Sequence, residues 1–161
     1  MKTTEIKIDS SGKRLTESLA EAASLLLAAL FAYTAVSKVY DWSGTRMAMY
    51  NQVFPIGMAE VLLYVLPVVE LGVAVLLLVP VWRRIGLLLS VVLMVLFTGY
   101  VALVWLGFTE RVPCSCGGVL GSLDWGEHLV LNLVFLAVAV WGVVREEHRD
   151  AQRKCEEHGD L

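Results

Sequence analysis

The sequence predicts an all-α membrane protein, a bundle of four transmembrane helices with a short interfacial helix in the first outer loop. Of its 161 residues, 57% are hydrophobic and only 18% are charged, and the mean hydropathy is +0.67. The charges are also segregated, which leaves four apolar stretches of about the length that crosses a bilayer. No basic stripe with interleaved aromatic residues is present. Membrane lipid is therefore the expected surrounding, and no nucleic-acid partner is expected.

Polar residues delimit the four predicted spans. Ser18 followed by Glu21 resembles a capping box and predicts the start of the first helix. Residues 40–57 are too polar and too short to cross, but their aromatic residues are typical of a helix lying at the membrane interface. Residues 1–17 and 145–161 are predicted to be cytoplasmic tails flanking one membrane domain, 18–144. Within that domain the predicted spans are residues 18–39, 58–79, 85–106 and 128–144.

The placement of lysine and arginine predicts the orientation. The two tails and the Arg83-Arg84 turn hold ten of these residues, whereas the opposite side holds three, Lys38, Arg46 and Arg111. The positive-inside rule therefore predicts cytoplasmic termini in a bacterial inner membrane. The loop that holds Cys114 and Cys116 is then expected to face the oxidising periplasm.

Polar side chains inside the spans concentrate in the outer half, the half nearest the two cysteines. A charged group in hydrocarbon costs at least about 2.5 kcal/mol, so such residues normally face protein, water or one another. We therefore predict an outer polar pocket roofed by the cysteine loop. The residues predicted to line it and to bind a cofactor are Lys38, Glu60, Glu70, Tyr100, His128 and Asn132.

Each of these residues also has a simpler interpretation. Lys38 and Glu60 lie near span ends, from which their charges can snorkel to the surface. Glu70 is too deep to do so and requires either a partner, for which Lys38 is the candidate, or protonation. For Tyr100 the simpler role is packing, and for His128 it is that of an ordinary interface residue.

Cys114 and Cys116 are the candidate catalytic residues. Thiols one residue apart can bridge only through a tight ring, and strain makes such a disulfide easier to reduce. A loop this short adds little entropic stabilisation, which argues against a purely structural bridge. Gly117 and Gly118 allow a sharp turn that exposes the sulfur atoms.

Three interpretations of this pair remain open. The first is a redox-active dithiol. The second is a metal site in which the two thiolates and His128 bind Cu(I) or Zn(II). The third is an inert or structural pair. We adopt the first and assign no metal ligands. Cys155, in the cytoplasmic tail, is expected to be an ordinary reduced thiol.

Several short motifs are similar to those of the MauE branch of the DoxX-like membrane proteins. The resemblance covers roughly residues 18–144 and rests on Thr34-Ala-Val-Ser-Lys38-Val-Tyr-Asp41, Leu66-Pro67-Val-Val-Glu70-Leu-Gly72, Cys114-Ser-Cys116-Gly117, Leu123-Asp-Trp125 and Asn132. It implies a four-helix membrane protein linked to redox chemistry. MauE-type members are associated with producing a disulfide-rich periplasmic subunit, and DoxX-type relatives with quinone-coupled sulfur oxidation. Gly117-Gly118 follows the second cysteine here, whereas Phe-Gly often follows it in such proteins.

Together these observations predict a membrane thiol–disulfide oxidoreductase. Cys114 and Cys116 are expected to exchange electrons with a periplasmic thioredoxin-like or disulfide-containing protein. The pocket is expected to bind a quinone, with no covalent cofactor. The principal alternative is a non-catalytic subunit that stabilises a larger envelope complex with other membrane subunits, and metal handling is the third.

Overall fold

The structure, a computed structural model, describes residues 2–51, 55–108 and 124–159, and it describes side chains within residues 16–51, 55–108 and 124–152. Apart from short connections, these residues are helical, and no strand occurs among them. The helices are α1 (Lys2–Tyr40), α2 (Trp42–Tyr50), α3 (Ile56–Leu78), α4 (Arg83–Trp105) and α5 (Trp125–Gly159). The predicted all-α class is confirmed.

Four of these helices are long and apolar enough to cross a membrane. The apolar segments are Thr16–Tyr40, Ile56–Leu78, Arg83–Trp105 and Trp125–Gln152. Many of their large apolar side chains are exposed, for example Val68 at 71% and Leu96 at 61%. Apolar surface of this extent requires an apolar surrounding, and lipid provides it.

The helix boundaries differ from the predicted ones mainly at the chain ends. Helix α1 begins at Lys2, so the prediction that a helix starts at Ser18 is wrong. Helix α5 begins at Trp125 and continues to Gly159, so the charged segment after the predicted span end at Val144, whose composition predicts a solvated helix, is helical through Gly159. Hydropathy reports only the part of a helix that contacts lipid, whereas backbone hydrogen bonds allow the helix to continue into water.

The four spans form a ring in which α1 and α4 each lie between α3 and α5. The α1–α3 and α4–α5 interfaces are the most extensive. The spans alternate in direction, so both termini and the α3–α4 turn lie at one end, called here the terminal end. The opposite end, called the loop end, carries α2 and the connection between α4 and α5.

Two close approaches pack the bundle toward the terminal end. A Cβ atom on Gly86 of α4 would lie 2.9 Å from the backbone nitrogen of Leu77 on α3. A Cβ atom on Gly142 of α5 would lie 2.9 Å from Leu87 Cδ2. Small residues allow membrane helices to approach closely and gain van der Waals contact. The core is centred in this region and consists of Leu27, Ala28, Phe31, Val73, Ala74, Leu77, Leu87, Met94 and Ala139.

Helix α2 follows α1 after a single residue, and Asp41 makes that turn. Its carboxylate accepts a hydrogen bond from the backbone nitrogen of Gly44 at 3.0 Å and so caps α2. The Trp42 ring then packs on the Tyr64 ring of α3, with centroids 5.2 Å apart. The predicted short helix in the first loop is confirmed, and its position at the membrane interface stays a prediction.

Candidate functional site

A buried ion pair joins α1 and α3. Lys38 Nζ donates to Glu70 Oε1 at 2.8 Å and to Glu70 Oε2 at 3.0 Å. The side chains of Lys38 and Glu70 are 9% and 1% exposed. Glu70 lies eight residues before Leu78, about 12 Å along the helix axis from the terminal end of α3. The pair therefore lies well inside the span rather than at its surface.

The Lys38 side chain turns inward from the end of α1. Its Nζ also donates to the backbone oxygen of Thr34, one turn earlier in the helix, at 3.5 Å. Side chains in a helix lean toward its N-terminus, and for Lys38 that direction leads into the bundle. This geometry contradicts the snorkelling interpretation for Lys38, and the pairing considered for Glu70 is the arrangement observed.

A partly open cavity lies beside this ion pair. Its volume is about 90 Å³, several times the roughly 10–15 Å³ that one water molecule requires. All four spans contribute to its wall, which is mainly apolar. The lining residues are Leu30, Phe31, Thr34, Lys38, Leu66, Glu70, Met94, Phe97, Tyr100, Val101, His128, Leu131, Asn132 and Phe135.

The cavity gathers five of the six predicted cofactor-binding residues. The ion pair lies on one side, and Tyr100 of α4 approaches with His128 and Asn132 of α5. His128 and Asn132 are four residues apart on a helix and therefore share a face. This cavity corresponds to the predicted outer pocket, because charged, hydroxyl, imidazole and amide side chains line it together.

Glu60 is the residue that the structure does not bring to this cavity. It is exposed, and it is absent from the lining. It precedes Glu70 by ten residues on α3, which corresponds to about 15 Å along the helix axis. The surface interpretation of Glu60 fits this position.

The predicted catalytic residues Cys114 and Cys116 lie outside the described residues. The described chain stops at Phe108, just beyond α4, and resumes at Asp124, just before α5. Both points belong to the loop end, the end toward which the polar part of the cavity extends. Within the described residues, no group of three or more His, Cys, Asp and Glu side chains is arranged to bind a metal. The metal alternative on the two cysteines and His128 stays a prediction.

A comparison with known families adds to this geometry. The family model described as methylamine utilisation protein MauE matches residues 16–145. The chain belongs to the MauE family. The match covers the first three apolar spans, most of the fourth, the ion pair and both cysteines of the connecting loop. This MauE family member is accordingly a multi-pass membrane protein in contact with lipid. Searches of curated proteins and of solved structures gave no match.

Sequence reasoning missed the apolar part of the site. Phe31, Met94, Phe97 and Phe135 form much of the wall, but in sequence they cannot be distinguished from other apolar residues of the spans. Thr34 is easier to predict from the sequence, because it lies four residues before Lys38 and so shares its helical face. The polar residues could be selected because each carries an energetic cost in lipid.

Proposed function

We propose that this MauE family protein is a membrane thiol–disulfide oxidoreductase that transfers electrons from a periplasmic protein dithiol to a quinone. The observation that carries the proposal is the cavity beside the Lys38–Glu70 pair. Buried charges within a span usually mark a functional site, because pairing alone rarely repays their desolvation. A mainly apolar cavity with a few convergent polar groups is also the usual form of a small-molecule site.

The chemistry of the cavity suits a quinone headgroup. Aromatic and aliphatic side chains of the wall suit contact with a ring, and His128 and Asn132 carry N–H groups that can bind its oxygen atoms. The neutral His128 imidazole can also donate a hydrogen bond from one ring nitrogen and accept one at the other. Because the cavity lies within the membrane-spanning region, a lipid-soluble ligand is the natural occupant.

The thiol chemistry is assigned to Cys114 and Cys116 from the sequence. A thiolate of the partner protein attacks their disulfide and forms a mixed disulfide, which the second partner thiol resolves. The partner is thereby oxidised, and Cys114 and Cys116 become a dithiol. The dithiol then passes two electrons and two protons to the quinone, which becomes a hydroquinone while the Cys114–Cys116 disulfide forms again.

Two arguments support placing these two reactions together. Cys116 is nine residues before Trp125, so a chain of up to about 30 Å tethers it to the start of α5. His128, a lining residue of the cavity, is less than one turn further along α5. In addition, the excess of lysine and arginine at the terminal end supports a periplasmic loop end.

The test uses the full-length protein in liposomes that contain ubiquinone, with a reduced thioredoxin-like protein outside. We expect the wild-type protein to oxidise the partner's thiols and reduce the quinone in equal amounts. In the variants Cys114→Ser and Cys116→Ser, the rates of both reactions should fall at least 100-fold. The matched control Cys155→Ser, which removes the third cysteine, should retain both.

Two results would contradict the proposal. One is thiol oxidation that continues in the Cys114→Ser/Cys116→Ser variant. The other is oxidation that proceeds equally well in liposomes without quinone. If the cysteine variants instead fail to assemble with other envelope subunits while no electron transfer is detectable in the wild type, a non-catalytic stabilising role replaces the enzyme.

A further inference from the structure

The three N–H groups of Lys38 already have acceptors. An ammonium group has three donors and no acceptor. Lys38 Nζ directs them to Glu70 Oε1 at 2.8 Å, to Glu70 Oε2 at 3.0 Å and to Thr34 O at 3.5 Å. A ligand oxygen that needs a hydrogen bond from Lys38 must therefore displace an acceptor of the protein.

Glu70, by contrast, retains capacity to accept hydrogen bonds. A carboxylate has about four acceptor positions on its two oxygens, and Lys38 occupies two of them. The Thr34 hydroxyl donates to Phe31 O at 3.1 Å. Even when that hydroxyl turns to Glu70 instead, it uses only one further position. Since Glu70 is 1% exposed and lines the cavity, its remaining positions are available chiefly to a ligand.

We infer that the cavity binds the hydroquinone form of its ligand more tightly than the quinone form, an inference that rests on the proposed function. A hydroquinone hydroxyl donates to Glu70 without disturbing the ion pair. A quinone oxygen can only accept, so at this position it faces a carboxylate and leaves the hydrogen-bonding capacity of Glu70 unused. Buried sites that hydrogen-bond a ligand group discriminate strongly against analogues that lack it.

This preference favours electron transfer from the Cys114–Cys116 dithiol to the bound quinone. A site that binds the reduced form of a redox couple more tightly raises the reduction potential of the bound couple. For a two-electron couple, a tenfold preference corresponds to about 30 mV. The bound quinone is then a stronger oxidant than the quinone in the membrane, which favours the conversion of the dithiol to a disulfide.

The experiment measures binding alone, so that it is independent of turnover. The full-length Cys114→Ser/Cys116→Ser protein is placed in nanodiscs, because without the thiol pair it cannot reduce the ligand. Equilibrium dialysis without oxygen gives the Kd of 2,3-dimethoxy-5-methyl-1,4-benzoquinone and of its hydroquinone, with empty nanodiscs as the blank. We expect the hydroquinone to bind at least tenfold more tightly.

A ligand-side test avoids any dependence on the folding of a variant. The dimethyl ether of the same hydroquinone retains the ring but has no hydroxyl donor, and it should bind at least tenfold more weakly than the hydroquinone. On the protein side, Glu70→Gln replaces one acceptor oxygen by an amide donor. The substitution also removes one of the two Glu70 acceptors of Lys38. It should reduce the hydroquinone preference at least tenfold, whereas Glu60→Gln, on the same helix but outside the cavity, should leave it unchanged.

The outcomes separate this inference from the function on which it rests. Binding of both forms with equal affinity, or tighter binding of the quinone, overturns the inference and leaves the quinone site of the proposed function standing. Equal binding of the hydroquinone and its dimethyl ether also overturns it. If neither form binds above the blank, both the inference and the quinone site are wrong.

Discussion

The two ends of the bundle are packed differently, and α5 makes the difference. Toward the terminal end, Ala139, Gly142 and Glu146 of α5 are buried, and Gly142 approaches Leu87 closely. Toward the loop end, none of residues 125–138 is fully buried. In an 18-residue apolar stretch of α5, 17% of the residues are buried, compared with 33–39% in equal stretches of the other three spans.

This contrast explains where a site can form. Small residues bring the helices together at the terminal end, and the space between them is filled by the core. At the loop end α5 is less buried and its residues His128 and Asn132 line the cavity, and the Lys38–Glu70 pair connects α1 to α3 beside it. One end therefore holds the bundle together, and the other end is available to bind a ligand.

The largest loss of stability is expected from breaking the Lys38–Glu70 ion pair. Lys38→Met leaves the Glu70 carboxylate buried without its partner, and it should lower the free energy of unfolding by about 3–5 kcal/mol. The double variant Lys38→Met/Glu70→Leu removes both charges and should recover most of that loss while abolishing ligand binding. Thermal unfolding in one detergent measures these changes. A double variant as unstable as the single one would contradict this account.

The next effect tests the close contact at the terminal end. Gly86→Ala places a methyl group against the α3 backbone, and it should lower the free energy of unfolding by up to about 3 kcal/mol because neither helix can move without cost. Gly99→Ala on the same helix is the matched control, since no atom lies within 4 Å of its added Cβ. It should leave stability unchanged or raise it by up to about 1 kcal/mol through helix propensity. Equal effects at both positions would rule out this packing argument.

Replacing valine by leucine should have smaller effects on stability, of opposite sign at the two ends. Val73→Leu adds a methylene to the filled core and should lower the free energy of unfolding by about 1–2 kcal/mol. Val101→Leu adds the same group beside the cavity and should raise it by roughly 0.5–1 kcal/mol while weakening ligand binding. Chemical unfolding of both variants in the same detergent decides the comparison, which fails if the two changes have the same sign.

The smallest effect on stability is expected at the terminal end of α4 and α5. Arg84 lies 3.6 Å from Glu147 and 3.9 Å from Asp150 in an exposed cluster at the terminal end. Arg84→Gln should lower the free energy of unfolding by less than about 1 kcal/mol, because water and salt screen such pairs. The difference from wild type should disappear in 1 M NaCl. A larger, salt-independent loss would mean that this cluster, and not the helix packing alone, secures the terminal end.

Sequence patterns located the two central spans to within two residues at each end. The predicted ranges 58–79 and 85–106 compare with Ile56–Leu78 and Arg83–Trp105. Proline and the paired arginines interrupt the apolar pattern there. The apolar pattern and the helix therefore end at nearly the same place. At the chain ends the apolar pattern and the helix end at different places. The pattern predicts a helix start at Ser18, because residues 2–17 are mostly polar and give no apolar periodicity.

The sequence by itself determined that four helices cross a membrane and that a few polar groups must find partners within it, because unpaired charge in hydrocarbon is costly. It also selected five residues of the cavity, although it could not separate them from Glu60. Only the tertiary structure decided that Lys38 turns inward to Glu70, that Glu60 stays outside, and that α5 is less buried toward the loop end. These outcomes depend on side-chain direction and on contacts between helices distant in the chain, and a linear pattern of hydrophobicity records neither.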